Sequence, residues 1–387
     1  MLHFKNNPSH QETNSIISPK LFDVAYSCIK TWNGYSPSPL HYLNGLAESL
    51  GVKQIYYKDE SERFGLKSFK ALGGAYAVAC VLRSYLKKIL PNVDIQNRDI
   101  LSGKYSDLLK EFTVATATDG NHGRSVAWGA QQCGINCFIY MHKAVSKNRA
   151  IAVEKFGAKV VWVDGNYDDS VDLIKQDAIK NNWQIISDTS YVGYTDIPKF
   201  VMAGYTVMTQ EIFKQLDNEL IPTHIIIQGG VGGLAASICA HSIALWGSKR
   251  PKFIVVEPET ADCLYQSAIL GKPKMVQIEK ETLMGGLSCG EVSLIGWDIL
   301  KNNTNDFITI SDDNVRSAMR LMAKGVCEDP SVEAGESAVA GIAMLMELEN
   351  LKKIKSKLNI DESSRILLFG TEGATDQNMY DQIIIGN

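Results

Sequence analysis

Short apolar runs alternate with amphipathic helical patterns through the middle of the chain, and this alternation limits the possible folds more than any other feature. In chain order, the predicted elements are strand 112–118, helix 124–133, strand 136–140, helix 146–156 with Ser146 as N-cap, strand 159–163, helix 168–181, strand 184–186, strand 223–228, helix 234–246, strand 252–256 and a closing strand 365–369. Strands that alternate with helices form parallel sheets that helices cover on both faces. The sequence therefore predicts an α/β protein with two doubly wound, open, mostly parallel sheets.

The length of the chain and the absence of a linker predict how the domains are arranged. A chain of 387 residues is longer than one hydrophobic core usually serves, so two domains are expected. No proline- or serine-rich linker separates two halves, which favours a smaller domain inserted within a larger one. We predict that residues 1–78 and 201–387 form the large domain and that residues 79–200 form a smaller inserted α/β domain.

Composition and charge argue against several classes of partner. The formal net charge is -4 and the pI is near 6.0, so the chain lacks the basic field typical of nucleic-acid binding. No window approaches about 18 uninterrupted apolar residues, and the first residues lack the apolar stretch of a signal peptide. The eight cysteines are scattered, without the spacing of a zinc site, which predicts reduced thiols. We expect a cytoplasmic protein with no nucleic acid, membrane or metal as partner.

A glycine-rich loop directly follows the predicted strand 223–228 and precedes the helix 234–246. Its residues are Gly229, Gly230, Val231, Gly232 and Gly233. Because glycines carry no side chain, backbone N–H groups can approach an anion closely here, and the dipole of the following helix favours negative charge. The loop therefore predicts a phosphate-binding site.

The same loop also satisfies a second pattern. Gly230, Gly232 and Ala235 have the spacing of a dinucleotide fingerprint, and Glu257 ends the next strand, where an acid could bind a ribose hydroxyl. An NAD-linked oxidoreductase is therefore an alternative from a different class. A cofactor-binding regulator without turnover is another.

Two further motifs favour pyridoxal phosphate. Lys70 lies between Phe69 and Ala71, where desolvation favours the free amine that imine chemistry requires. Asp119 and Asn121 lie in a polar turn at the end of a predicted strand. A reactive amine, a turn that can bind a ring and a phosphate loop together predict this cofactor, with the lysine holding its aldehyde as an imine.

The order of these motifs resembles the fold type II pyridoxal phosphate enzymes, which include the serine and threonine dehydratases. The resemblance is closest to the ammonia-lyases of this group that act on 2,3-diaminopropionate. The similar blocks are residues 65–76, 117–124, 188–189 with 193–195, and 371–373. The resemblance implies a homodimer that binds a small amino-acid substrate.

The resemblance also implies which residues bind the cofactor. Lys70 would be the Schiff-base lysine, and Asn121 would bond the ring hydroxyl. The loop 229–233 would hold the phosphate, and Thr371 would place a neutral hydroxyl on the pyridine nitrogen. A neutral partner leaves that nitrogen unprotonated, which suits β-elimination better than transamination.

The chain departs from the commoner dehydratases at Asp119, which stands where those enzymes have a serine. This carboxylate would add a second base opposite Lys70, and the resemblance implies activity on both D- and L-isomers. Asp188 is expected to recognise the second ammonium of the substrate. The implied substrate-binding residues are Thr118, Asp119, His122, Asp188 and Tyr194.

The resemblance therefore implies a lyase that converts 2,3-diaminopropionate to pyruvate and two molecules of ammonia. A serine or threonine dehydratase of the same fold is the nearest alternative. The two readings differ in whether Asp119 and Asp188 both lie in the pocket.

Overall fold

The computed structural model describes residues 1–118, 120–217 and 220–386. The chain forms two compact units, which we call the first and the second unit. The first unit consists of Met1–Pro19, Pro37–Arg63 and Met208–Asn387, and the second of Lys20–Ser36 and Phe64–Val207. Each contains helices and a sheet, in agreement with the predicted α/β class.

The strands and helices are numbered in chain order. The strands are β1 Leu2–Lys5, β2 Leu40–Tyr42, β3 Gln54–Asp59, β4 Thr113–Ala117, β5 Asn136–His142, β6 Lys159–Val163, β7 Gln184–Ile185, β8 His224–Gln228, β9 Lys252–Pro258, β10 Asp306–Ile310 and β11 Arg365–Gly370. The helices are α1 Pro19–Ile29, α2 Asn44–Ser49, α3 Lys70–Ile89, α4 Asn97–Ile100, α5 Ser106–Leu109, α6 Asn121–Cys133, α7 Lys147–Glu154, α8 Tyr167–Asn181, α9 Asp196–Gln215, α10 Gly233–Trp246, α11 Cys263–Leu270, α12 Leu294–Asn303, α13 Asp313–Lys324, α14 Ala340–Leu348, α15 Lys352–Leu358 and α16 Gln377–Ile385.

The first unit is built on a seven-stranded sheet with the strand order β1-β10-β9-β8-β11-β3-β2. The inner strands run parallel, whereas β1 and β2 pair antiparallel at the two edges. Every residue of the central strand β8 is buried, as expected for a parallel strand with both faces covered. Ile226, Ile254 and Ile308, from three strands of this sheet, share one apolar core with Ile342 and Leu345 of α14. Because the inner strands are parallel, their carboxyl ends share one edge, where open α/β sheets bind ligands.

The second unit contains a four-stranded parallel sheet with the order β6-β5-β4-β7. Ala115, Tyr140, Val163 and Ile174 form a small core between this sheet and α8. A capping box begins α8: Asn166 accepts a hydrogen bond from the N–H of Asp169 at 3.1 Å, and the Asp169 carboxylate accepts from the N–H of Asn166 at 2.7 Å.

The segment that leads into α3 has an unusual backbone. Phe64 and Lys67 have left-handed φ angles of 51° and 53°, which side chains other than glycine rarely adopt. The ring of Phe64 stacks on Trp128 with centroids 5.1 Å apart and also contacts Trp32 at 5.8 Å. This aromatic packing holds the strained backbone that precedes Lys70.

Four charged side chains are buried together in the first unit, and we call them the charge tetrad: Lys58, Glu60, Arg63 and Glu211. The Lys58 Nζ lies 2.7 Å from Glu211 Oε2, while Arg63 bonds Glu60 at 2.7 Å and Glu211 at 2.8 Å. Burial lowers the pKa of Lys58 despite its acidic neighbours. Burial alone would raise the pKa of Glu211, but Arg63 and Lys58 outweigh it and the pKa is lowered. The two positive and two negative charges balance each other.

The predicted elements agree well with the structure where the apolar pattern is strong. The predicted strands 136–140, 159–163 and 252–256 are confirmed as β5, β6 and β9, with ends that differ by no more than two residues. Ser146 is confirmed as an N-cap, because its hydroxyl accepts from the N–H of Arg149 at 3.4 Å. No helix in the described part of the chain is long and apolar enough to cross a membrane.

The second unit differs in extent from the predicted insertion 79–200, since it begins at Phe64 and takes in residues 20–36. Helix α3 is continuous through residue 78 and packs closely on α6. A Cβ atom on Gly129 of α6 would lie only 2.8 Å from the Cα of Ala75, so the two helix backbones are nearly in contact. A domain boundary within α3 would break this contact, although the division into a large and an inserted domain stays a prediction.

Candidate active site

Lys70 and Asp188 form an ion pair in the second unit. Lys70 is the first residue of α3, and Asp188 follows the short strand β7. The Lys70 Nζ donates to Asp188 Oδ2 at 2.5 Å, and the two side chains are 24% and 18% exposed. The pair is therefore reachable by a small molecule yet largely shielded from water.

His122, in the first turn of α6, completes this group of side chains. Its Nε2 lies 2.8 Å from the carbonyl oxygen of Ile186 and can only donate to it, which leaves Nδ1 as an acceptor when the ring is neutral. Burial lowers the pKa of His122 more than Asp188 raises it, so the neutral ring is favoured. Its Nδ1 lies 3.7 Å from Asp188 Oδ2 and has no hydrogen-bond partner among the described residues.

The carboxylate of Asp188 remains ionised in this setting. Burial alone would raise its pKa, but the Lys70 ammonium and His122 outweigh burial and hold the pKa well below the usual range. Asp188 Oδ2 and His122 Nδ1 are therefore two acceptors that lie 3.7 Å apart. Such a pair suits an ammonium group, which has several hydrogens to donate.

Two of the predicted substrate-binding residues have hydroxyls that form hydrogen bonds with backbone groups. The Thr118 hydroxyl accepts from the N–H groups of Gly120 at 3.2 Å and Gly123 at 3.3 Å, and so caps the start of α6. The Tyr194 hydroxyl accepts from the N–H of Ser187 at 3.0 Å and donates to the carbonyl of Ile185 at 3.0 Å. Tyr194 thus fixes the backbone that carries Asp188, and substrate contacts by both residues stay predictions.

Asp119, the predicted second base, lies outside the described residues. Asn121, the predicted partner of the cofactor's ring hydroxyl, is the first residue of α6. It follows the carboxyl end of β4, the edge of the sheet where ligands are expected.

The glycine-rich loop of the first unit joins β8 to α10. Gly230 and Gly232 have φ angles of 57° and 93°, in the left-handed region that favours glycine. The Gly232 N–H donates to Gly229 at 3.1 Å, which closes the turn, and the carbonyl of Val231 accepts from Ser293 at 2.8 Å. The first N–H groups of α10 point out of this turn, as at any helix start, and form an anion-binding arrangement.

Glu257 lies beneath this loop and is not available to a dinucleotide. It is 1% exposed, and its carboxylate accepts from the N–H groups of Leu264 at 2.9 Å and Tyr265 at 2.7 Å. A Cβ atom on Gly229 would lie 2.6 Å from Glu257 Cγ, so the side chain packs directly against the loop. The ribose contact on which the NAD alternative depends is therefore not supported.

Substituting Glu257 with glutamine is expected to change how stability depends on pH. Burial raises the pKa of Glu257 to about 8, above its usual value of 4.5, and the two N–H bonds offset this only in part. Between these values the folded protein keeps a proton that the unfolded chain releases, so the free energy of unfolding falls as pH rises. In Glu257→Gln this contribution should vanish.

Urea unfolding at pH 5.5 and pH 8 measures the effect. The difference in unfolding free energy between wild type and variant should change by at most about 1.4 kcal/mol per pH unit across this window, with the variant gaining relative stability at the higher pH. Parallel pH profiles for the two proteins would show that Glu257 is ionised throughout.

Thr371 lies at the carboxyl end of β11, the strand next to β8 in the sheet. Its hydroxyl is 3.5 Å from the Gln228 amide nitrogen, whose two hydrogens have closer acceptors in the carbonyls of Phe369 at 2.7 Å and Ser337 at 2.9 Å. Thr371 is only 4% exposed, and a contact of 3.5 Å is weak. The hydroxyl can therefore donate its own hydrogen to a ligand.

Comparison with known proteins decides between the alternatives. The family model for a pyridoxal-phosphate dependent enzyme matches residues 31–368. The chain is 36% identical to diaminopropionate ammonia-lyase of Escherichia coli strain K12 over 377 residues, which covers 96% of this chain and 93% of the relative. It is 38% identical to the Salmonella typhimurium enzyme of the same name over 359 residues, which covers 90% and 88% of the two chains.

A solved structure agrees with these matches. The crystal structure of the Escherichia coli diaminopropionate ammonia-lyase with an aminoacrylate-PLP azomethine reaction intermediate superposes with a TM-score of 0.89 at 34% identity. The alignment covers 99% of this chain and 96% of that one. This chain belongs to the diaminopropionate ammonia-lyase family. It is a fold type II pyridoxal phosphate enzyme and a carbon-nitrogen lyase, as the family resemblance implies, and the glycine loop is not favoured as a dinucleotide site.

The residues of each unit fit the cofactor of this ammonia-lyase family. The first unit offers a glycine turn with left-handed φ angles at a helix start and a buried hydroxyl on Thr371. The second unit offers the amine of Lys70 beside His122 Nδ1, a buried nitrogen without a partner among the described residues. Backbone N–H groups at a helix start can bind the phosphate, the hydroxyl can donate to the pyridine nitrogen, and the amine can form an imine with the aldehyde.

Two side chains that the motifs do not indicate also belong to these surroundings. Tyr205 of α9 has its ring centroid 5.7 Å from the Lys70 Nζ, and Gln228 contacts Thr371. No local signal marks either one, because each reaches its place through the packing of elements that are distant in sequence. Cys263 and Cys289 both lie next to Gly230: Cys263 Sγ is 3.6 Å from the Gly230 carbonyl oxygen, and Cys289 Sγ would be 3.8 Å from a Cβ atom on Gly230.

Proposed function

We propose that this protein removes ammonia from both D- and L-2,3-diaminopropionate by α,β-elimination. The observation that carries this proposal is the pair of acceptors beside Lys70, namely Asp188 Oδ2 and His122 Nδ1. Diaminopropionate differs from serine in having a second ammonium in place of a hydroxyl. An ionised carboxylate beside a neutral imidazole nitrogen binds an ammonium more strongly than a hydroxyl.

We further propose which residues bind pyridoxal phosphate. Lys70 would bind its aldehyde, Asn121 its ring hydroxyl and the loop residues 229–233 its phosphate. When bound, the cofactor supplies an electron sink that acidifies the α-carbon of the substrate. The Thr371 hydroxyl would donate to the pyridine nitrogen, because the nearby Gln228 amide nitrogen can only donate and so directs the hydroxyl hydrogen elsewhere.

The residues of the second unit would then move the protons. The amine of Lys70 would take the α-proton of the L-isomer, and Asp119 would take that of the D-isomer from the opposite face. The α C–H bond and the β C–N bond break, a C=C bond forms, and the β-nitrogen leaves as ammonia. The released aminoacrylate hydrolyses to pyruvate and a second ammonia.

Asp188 would hold the β-ammonium of the substrate, and Tyr194 would support it by fixing residues 185–187. Thr118 would shape the turn that precedes Asn121 through its bonds to Gly120 and Gly123. We also propose a cytoplasmic homodimer in which the first unit corresponds to the large, cofactor-binding domain.

Release of pyruvate and ammonia from a panel of substrates tests the proposed function. The panel is D- and L-2,3-diaminopropionate, D- and L-serine and L-threonine, each with the purified holoenzyme. We expect the highest kcat/KM for the two diaminopropionate isomers. Higher values for serine or threonine would make the protein a dehydratase.

Replacing Asp188 with asparagine is expected to weaken the handling of diaminopropionate more than that of serine. A charge-assisted hydrogen bond contributes about 1.5–3 kcal/mol, so kcat/KM for diaminopropionate should fall about ten- to hundredfold beyond any loss for serine. Steady-state rates with the two L-substrates give this ratio.

Asp172→Asn is the matched control, because Asp172 is 70% exposed in the same unit and pairs with Lys175 at 3.1 Å. The control should leave the ratio of the two substrates unchanged. An equal loss of both substrates in Asp188→Asn would assign Asp188 a role in orienting Lys70 alone.

A further inference from the structure

The hydroxyl of Tyr205 is buried and makes no hydrogen bond of regular geometry in the described part of the chain, although the Lys70 ammonium lies close enough to lower its pKa. Tyr205 lies on α9 and is 1% exposed. A buried polar group without a partner destabilises the fold, since water would satisfy it in the unfolded chain. Phenylalanine would fill the same space without this cost, so the hydroxyl needs another explanation.

The position of the ring gives that explanation. The Tyr205 ring packs on Phe69 with centroids 4.7 Å apart, and the Lys70 Nζ lies 5.7 Å from the Tyr205 centroid and 5.4 Å from that of Phe69. Gly73 makes room for the phenol, because a Cβ atom there would lie 2.3 Å from Tyr205 Cε1. The phenol therefore occupies the space over the first turn of α3, beside the Lys70 amine.

The phenol is neutral in this position. Burial raises the pKa of Tyr205, and the Lys70 ammonium lowers it by less than burial raises it. A neutral phenol oxygen can accept one N–H and donate one O–H. It can therefore bind an ammonium without taking its proton.

The proposed function creates a need for such an acceptor. Asp188 holds the Lys70 ammonium at 2.5 Å, yet the same carboxylate is proposed to hold the second ammonium of the substrate. When the substrate occupies Asp188 and Lys70 has taken up a proton, the Lys70 ammonium loses this partner. An ammonium in such partly buried surroundings requires another acceptor within reach.

We propose that Tyr205 is a positioning residue for Lys70, whose phenol oxygen accepts an N–H from Nζ while the second ammonium of the substrate occupies Asp188. The inference rests on the proposed function. Serine brings no second ammonium, so Lys70 can stay paired with Asp188 and needs Tyr205 less. The hydroxyl should therefore matter for turnover of diaminopropionate more than for turnover of serine.

The test compares Tyr205→Phe with Tyr140→Phe. Tyr140 is an equally buried tyrosine of the second unit, but its hydroxyl donates to Asp177 at 2.5 Å. Two properties are measured on each protein: the melting temperature of the full chain without and with cofactor, and kcat and KM for L-2,3-diaminopropionate and L-serine.

For Tyr205→Phe we expect an unchanged or raised melting temperature, because the lost hydroxyl makes no hydrogen bond of regular geometry. Its kcat for diaminopropionate should fall about tenfold, as for one hydrogen bond to a charged group, with KM within about a factor of two. Its kcat for serine should fall less than about threefold. Tyr140→Phe should lower the melting temperature and leave the ratio of the two kcat values unchanged.

Two results would overturn the inference while leaving the proposed function intact. One is an active Tyr205→Phe enzyme with unchanged kcat for diaminopropionate. The other is a melting temperature that falls as in Tyr140→Phe together with equal losses for both substrates, which would make Tyr205 a scaffold residue. A wild-type enzyme inactive on diaminopropionate would instead overturn the proposed function and this inference together.

Discussion

Lys70→Ala is expected to lose nearly all turnover of L-2,3-diaminopropionate. The variant lacks both the amine that would bind the cofactor aldehyde and the base that would take the α-proton of this isomer. General-base catalysis alone contributes about 10²–10⁴-fold, so the combined loss should lie at or beyond the upper end of this range. Any slow residual activity should favour the D-isomer, whose proton would go to another residue.

Pyruvate release and peptide mapping check this result. In the wild type, borohydride reduction should place the pyridoxyl label on Lys70, and in the variant that label should be absent. Lys143→Ala serves as control, since Lys143 is a 63% exposed lysine of the same unit that pairs with Asp164. Label on a different lysine, or an Lys70→Ala enzyme with substantial L-isomer turnover, would remove Lys70 from the proposed role.

Asp119→Asn is expected to lose turnover of the D-isomer rather than of the L-isomer. Asparagine keeps the size and the turn preference of aspartate but is not an effective base. If Asp119 serves the face opposite Lys70, kcat/KM for the D-isomer should fall by about 10²–10⁴-fold, while the L-isomer should lose far less. The ratio of D to L kcat/KM, compared with wild type, is the decisive measurement.

The two variants therefore control each other, because Lys70→Ala and Asp119→Asn should shift the D to L ratio in opposite directions. A ratio in Asp119→Asn within about threefold of wild type, which is under ~0.7 kcal/mol in barrier height, would mean that one base serves both faces. Asp119 would then only orient the turn that precedes α6.

Much of the fold can be predicted from the sequence because its central strands are short apolar runs that end at glycine or polar turns. Strand β8 and the glycine loop after it are examples. Burial on both faces of the strand requires an apolar run, and the left-handed φ angles of Gly230 and Gly232 favour glycine. Edge strands have weaker sequence patterns. The pairing of β1 with β10 joins Leu2 to Thr309, and no local pattern predicts so distant a partner.

The site is predictable to a lesser degree. The local motif identifies Lys70 and the family resemblance implies Asp188, but only the structure shows that these distant residues form a 2.5 Å ion pair. Thr118 and Tyr194 have hydroxyls suitable for a substrate, whereas the structure has these hydroxyls bonded to the backbone. The sequence does not distinguish Tyr205 from the apolar residues around it, because only the packing of the fold shows that its hydroxyl is buried without a regular hydrogen bond.

The charge tetrad has a consequence for how this sequence can change over evolutionary time. Losing one member of a buried ion pair typically costs 3–5 kcal/mol, about a third of the stability of many domains, whereas replacing the whole set by apolar residues can be neutral. The four residues of the charge tetrad must therefore change together or not at all, because each single substitution would lower the stability of the fold. We expect natural variants of this enzyme to keep all four or to lack all four, with few intermediates.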